Sequence, residues 1–216
     1  MGHDAGPAKR PGRVYAELRS PTPARIDGCP CCIDRKTVGA LHVRALRELT
    51  DEDLGAYAAS VFLTVGDLAD FRYFLPRILE LAITMPSFSI GLEVVLGKLA
   101  LADWKSWSRR EQEAIGRVID IWFDDVAVSC AKDWDGFDGT VDDLLCAIGR
   151  TGLDPIVYIE RLLPEDRSFA LNVLWEENRN SLRQRGRMTN AFWGDDAVHA
   201  AVVARLMADD IQAIVA

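Results

Sequence analysis

From Thr50 to the end of the chain, apolar residues recur with the period of an α-helix, and this constrains the fold more than any other feature. Leu54, Tyr57, Ala58, Val61, Phe62 and Val65 fall at i, i+3, i+4, i+7, i+8 and i+11, one face of a helix that Gly66 is placed to end. Thr50 and Asp53 open it with the spacing of a capping box. Ser108 and Glu111 repeat the device ahead of a stripe made of Ile115, Val118, Ile119, Trp122, Val126 and Cys130. Asp67 caps the segment between, where Pro76 either kinks a helix or begins a second one. Residues 89–101 read as a buried helix, and Thr140 with Asp143 opens another that stops at Gly152. Asp154 and Pro155 form a cap-then-first-turn pair for residues 153–163, and residues 169–178 and 196–215 complete the series. No run alternates with period two, and no Asn-Gly or Asp-Gly turn joins β-branched runs. The expected class is all-α, a bundle or an irregular stack of antiparallel helical hairpins.

Residues 1–33 contrast with this pattern. They hold five prolines and little periodicity, which predicts an extended arm with room for a short helix near residues 14–18. The arm ends in a cysteine cluster, and residues 34–216 are expected to form a single helical domain. Charge divides the chain too. Its first fifty residues carry nine Lys or Arg against five Asp or Glu, net +4, so a total of −8 leaves −12 on the remainder. An acidic body opposes general attraction to nucleic acid or to an anionic membrane, because phosphate binding depends on Lys and Arg displacing counterions. The first thirteen residues lack a secretory apolar run, and no stretch approaches the roughly 20 apolar residues that cross a bilayer. A cytoplasmic location is expected, and five cysteines, an odd number, fit a reducing compartment.

Chemistry is most visible at Cys29, Cys31 and Cys32. Cys29 and Cys32 stand in C-x-x-C register with Pro30 stiffening the turn, a spacing that lets two thiolates converge on one zinc ion. No second such pair follows, so His42, Cys130, Cys146 or His199 would have to complete a metal site, with His42 the preferred candidate. The competing reading makes the thiols small apolar groups that pin the arm to the helical body. A redox role has less support, since no strand precedes the cluster. Cys130 belongs to the core stripe and Cys146 reads as half-buried. His199 shares a face with Val202, Val203 and Leu206 and reads as a hydrogen-bonded core histidine.

Asp133, Asp135, Asp138, Asp142 and Asp143 invite a calcium loop, but starting at Asp133 the register puts Phe137 at position 5 and Asp138 at the glycine position. These acids are expected instead to join and cap helices and to present a negative surface to a basic protein partner. Arg179, Arg183, Arg185 and Arg187 read as a solvated helix end and loop. Of the tryptophans, Trp104, Trp107, Trp122, Trp134 and Trp175 are expected mostly in the core. No G-x-S-x-G, phosphate-loop, dinucleotide or H-E-x-x-H signature occurs.

The order of Gly28-Cys29-Pro30-Cys31-Cys32, then Leu46-Arg47-Glu48-Leu49-Thr50, then residues 66–71 and 74–81 resembles a group of uncharacterised bacterial proteins. The resemblance implies a bacterial cytosolic origin and brings no catalytic residues with it. The function expected from the residues is a non-catalytic, acidic protein-binding module, with an immunity or antidote role against a toxin as one concrete form. The alternative is a zinc- or iron-binding protein or enzyme centred on the cysteine cluster, and recognition of phosphate or nucleic acid by the arginine run ranks last.

Overall fold

The computed structural model describes residues 11–29, 35–84, 90–130 and 141–215. Among them lie eleven α-helices, three short 3-10 turns and no strand, only isolated β-bridges, so the class is all-α. The chain forms two compact units, Met1–Ile121 and Trp122–Ala216. Their boundary falls inside one helix instead of a Pro- or Gly-rich joint.

In the first unit, α1 (Pro11–Glu17) packs on α4 (Leu68–Thr84), and α2 (Arg35–Val43) packs on α3 (Asp51–Ser60). α3 and α4 both meet α5 (Leu92–Leu101), and α6 (Arg109–Ser129) begins in this unit. α4 supplies the centre with Phe71, Phe74, Leu75, Ile78 and Leu79, all buried. Tyr57 and Tyr73 meet Phe74 edge-on, each with ring centroids 5.0 Å apart, the arrangement that ring quadrupoles favour. Pro76 sits inside α4 without splitting it. The arm is not wholly extended: α1 occupies 11–17, and Leu18 and Ile26 beyond it are buried. Glu17 fastens α1 by accepting hydrogen bonds from Arg13 (3.0 Å) and Arg117 (2.5 Å).

In the second unit, α7 (Val141–Arg150) packs against α8 (Pro155–Glu160) and α9 (Ser168–Arg185). α10 (Ala197–Leu206) meets α8, and α11 (Asp209–Val215) meets α9 and α10. Leu144, Leu145, Cys146, Ala147 and Ile148 are all buried, so α7 is enclosed on nearly every side. Cys146 is therefore fully in the core instead of half-buried, whereas Cys130 lies in the core as its stripe predicts. Trp104, Trp107, Trp122, Trp175 and Trp193 are all buried, and Trp134 lies outside the described residues.

Several local signals act as expected. Thr50 and Asp53 form a reciprocal capping box, Ser108 and Glu111 form another, and Asp154 accepts from the Ile156 amide ahead of Pro155. Other boundaries move. α3 stops at Ser60, well before Gly66, because Phe62 adopts φ +66° and the following residues turn toward the arm. Residues 196–215 divide into α10 and α11, with the Gln212 side chain capping the Leu206 carbonyl at 2.7 Å. Thr140 lies outside the described residues.

Candidate functional site

The expected thiol site begins where the arm meets the joint between α3 and α4. Gly28 and Val65 form an isolated antiparallel bridge, the Cys29 amide donates to the Thr64 carbonyl (2.8 Å), and the Gly66 amide donates to the Asp27 carbonyl (2.6 Å). The backbone of residues 27–29 is thus held against residues 64–66, and Cys29 is half-buried. His42 lies exposed in the last turn of α2. Cys31 and Cys32 lie outside the described residues. Among the described residues, no three His, Cys, Asp or Glu side chains converge closely enough to hold a metal ion.

Behind this joint lies a buried pair that the sequence reading missed. Tyr57 is fully enclosed and its hydroxyl has no hydrogen-bond partner among the described residues, while Asp70 is 3% exposed. Asp70 accepts from the Asp67 amide (3.1 Å), and Asp67 in return accepts from the Ala69 and Asp70 amides (2.7 and 3.1 Å), so two aspartates cap α4 reciprocally. Burial raises the pKa of Asp70, and the carboxylates of Asp67 and Asp27 add to the rise against the Asp67 hydrogen bond and the charge of His42. Burial also raises that of Tyr57, helped by Asp70 and Asp67. Gly66 makes the arrangement possible. Its φ is +63°, and a Cβ there would lie 2.9 Å from Tyr57 Cε2 and 3.0 Å from Asp70 Oδ2.

Lys98 is a second unanticipated group. Its buried ammonium donates to the Val61 carbonyl (2.9 Å) at the end of α3, and burial lowers its pKa. The bond satisfies a terminal helix carbonyl that has no partner within its own helix.

In the second unit the expected partner-binding acids separate. Asp133, Asp135 and Asp138 lie outside the described residues. Asp142 is 4% exposed and turned inward, which corrects its assignment to a partner-facing surface: it accepts from the Trp193 indole N–H (2.7 Å) and the Asn190 amide (3.4 Å). Burial raises its pKa, with Asp143 adding to the rise and hydrogen bonds from Trp193, Asn178 and Asn190 opposing it. Asp143 is half-buried and accepts from the Asn190 side chain (2.6 Å). Around them, Asn178 accepts from the Thr189 amide (2.6 Å), and His199 accepts from the Met188 amide through Nε2 (3.1 Å) while stacking on Trp193. The network therefore clamps the connection between α9 and α10, and His199 is the hydrogen-bonded core residue that its position predicts. No simple spacing announces Asn178 or Asn190, because their partners are distant in sequence.

The arginine run extends α9 past its expected end. Arg179 pairs with Glu176, Arg187 with Asp195, Arg183 covers the Trp175 ring, and Gly186 ends the helix at φ +64°. The rest of the unit's arginines are also engaged: Arg161 and Arg167 converge on Asp124, Arg205 bridges Glu160 and Asp210, Arg150 donates to the Phe192 carbonyl and Arg185 to the Ser181 hydroxyl. No protein-family model matches the chain, no curated protein matches it, and no solved structure matches it.

Proposed function

We propose that this protein is a non-catalytic α-helical binding module whose second unit docks a basic protein partner in the cytoplasm, with an immunity- or antidote-type role as one concrete form. The observation that carries the reading is the division of charge. The first unit holds sixteen basic and sixteen acidic residues, whereas the second holds nine basic against seventeen acidic, so the whole net charge of −8 belongs to the second unit. All but one of its described arginines face carboxylates or aromatic rings of their own unit, Arg185 donating instead to the Ser181 hydroxyl, while Glu165, Asp166 and Asp209 are exposed and have no ion pair among the described residues. An uncompensated negative surface speeds encounter with a positive one and disfavours like-charged competitors. No described helix is long and apolar enough to cross a membrane. Neutralising Glu165, Asp166 and Asp209 together tests the reading: binding to a basic partner should weaken and lose much of its salt dependence, and unaltered binding contradicts it.

A second reading, a zinc or iron site at the cysteine cluster, draws support from the backbone bonds that fix residues 27–29 against 64–66. Elemental analysis of protein purified without added metal tests it. Stoichiometric metal that is lost on replacing Cys29, Cys31 and Cys32 by serine supports the site, and metal-free protein removes it.

A further inference from the structure

A groove of ≈ 700 Å³ runs in the first unit between residues 18–22 of the arm and α4, with the 3-10 turn at Leu46–Glu48 on its other side. This volume suits a small organic molecule. Leu18, Leu46 and Pro76 provide an apolar floor, and the rings of Tyr15 and Tyr73 stand beside it. Prolines and aromatic rings lose little freedom when a flat body settles against them, so such a surface is ready before the ligand arrives.

Among the described residues that line the groove, the charged side chain is that of Arg19. Most described arginine side chains of the first unit have a carboxylate within ion-pair distance: Arg13, Arg25, Arg44, Arg72, Arg77, Arg109 and Arg117. Arg19, Arg47 and Arg110 have none among the described residues, and two of these three border the groove. Arg19 is in its lining, and the Arg47 guanidinium lies 4.2 Å over the Tyr15 ring. The nearby carboxylate of Glu80 is already satisfied, accepting from the Tyr15 hydroxyl and from Arg77, each at 2.5 Å. A neighbouring groove shares Arg19, Ser20 and Pro21 but includes Asp67, whose negative charge makes it the poorer place for an anion.

We propose that this groove binds a small amphipathic anion, a carboxylate or phosphate joined to a flat apolar body, with Arg19 holding the charged group and Leu18, Leu46 and Pro76 seating the body. Arg47 adds positive potential from behind Tyr15 and positions that ring. The site is independent of the acidic surface of the second unit, so either can fail alone.

Calorimetric titration of the full chain with 1-naphthoate, 1-naphthyl phosphate and 1-naphthylmethylammonium tests the proposal. One anion or both should bind at one site per chain, and the cation should bind about tenfold more weakly or not at all. The stronger anion tells a carboxylate from a phosphate class. Arg19→Glu, an exposed substitution whose fold is checked by circular dichroism, should lower anion affinity about tenfold or more, whereas Arg110→Glu should leave it within about twofold. Absence of saturable anion binding, equal binding of the cation, or equal losses in the two variants would overturn it.

Discussion

Tyr57 holds a hydroxyl in the interior of the first unit with no hydrogen-bond partner among the described residues, beside an aspartate whose charge burial disfavours. An unpaired buried polar group costs on the order of 1–3 kcal/mol, and deleting it while keeping the ring removes that cost. Tyr57→Phe should therefore raise unfolding free energy by about 1 kcal/mol in urea titration, and a loss of that size would mean that the hydroxyl is partnered. Asp70 carries a pH signature. Its folded pKa is raised, so its contribution to stability is present below the unfolded value of 3.8 and is lost as pH rises through the folded one. Asp70→Asn keeps an acceptor for the Asp67 amide without the charge, so it should stabilise the protein at pH 7 and lose that advantage near pH 3. Asp124 has the opposite sign. Burial works against its charge, but Arg167 and Arg161 outweigh it and lower the pKa, so its contribution is present above 3.8 and lost as pH falls through the lowered value. At this scale the sequence speaks unevenly. His199 was legible from its apolar neighbours on one helix face, whereas Asp142 was not, because the groups that draw it inward come from Asn178, Asn190 and Trp193.

Three helix starts in this chain are written locally, whereas the end of α3 is decided elsewhere. Thr50 with Asp53, Ser108 with Glu111, and Asp154 with Pro155 each satisfy amides within three residues, which is why spacing alone locates them. Thr50→Ala should cost about 1 kcal/mol, read from chemical denaturation, and no change would show the box to be idle. The end of α3 depends on partners far away: Lys98 takes the Val61 carbonyl, and residues 64–66 bond with residues 27–29 of the arm. Periodicity continues through Val61 and Val65, both buried, so it overshoots a helix that long-range bonds have already stopped. Gly66 tests this joint. Gly66→Ala meets a left-handed backbone and contacts near 3 Å on Tyr57 and Asp70, so a loss of about 1–2 kcal/mol or more in thermal or urea unfolding is expected. A neutral result would mean that the turn rearranges freely.

At the scale of the molecule, the all-α class was legible because amphipathic stripes and caps agree along most of the chain. The acidic body was legible in total but not in location. Its concentration in the second unit emerges only when the chain is divided by contacts at residue 121, inside α6, where composition gives no signal. The balanced first unit and the unbalanced second one make different predictions for salt and for mutation, and this difference carries the functional account. The most direct measurement is quantitative co-purification of the tagged full chain at native abundance, beside a Glu165→Gln, Asp166→Asn, Asp209→Asn triple variant. The account predicts that the native chain retains a basic protein in fixed ratio, releases it as salt rises toward about 0.5 M, and loses it when the three acids are neutralised. Recovery of the chain alone, or equal retention of the same protein by the triple variant at every salt concentration, would contradict it.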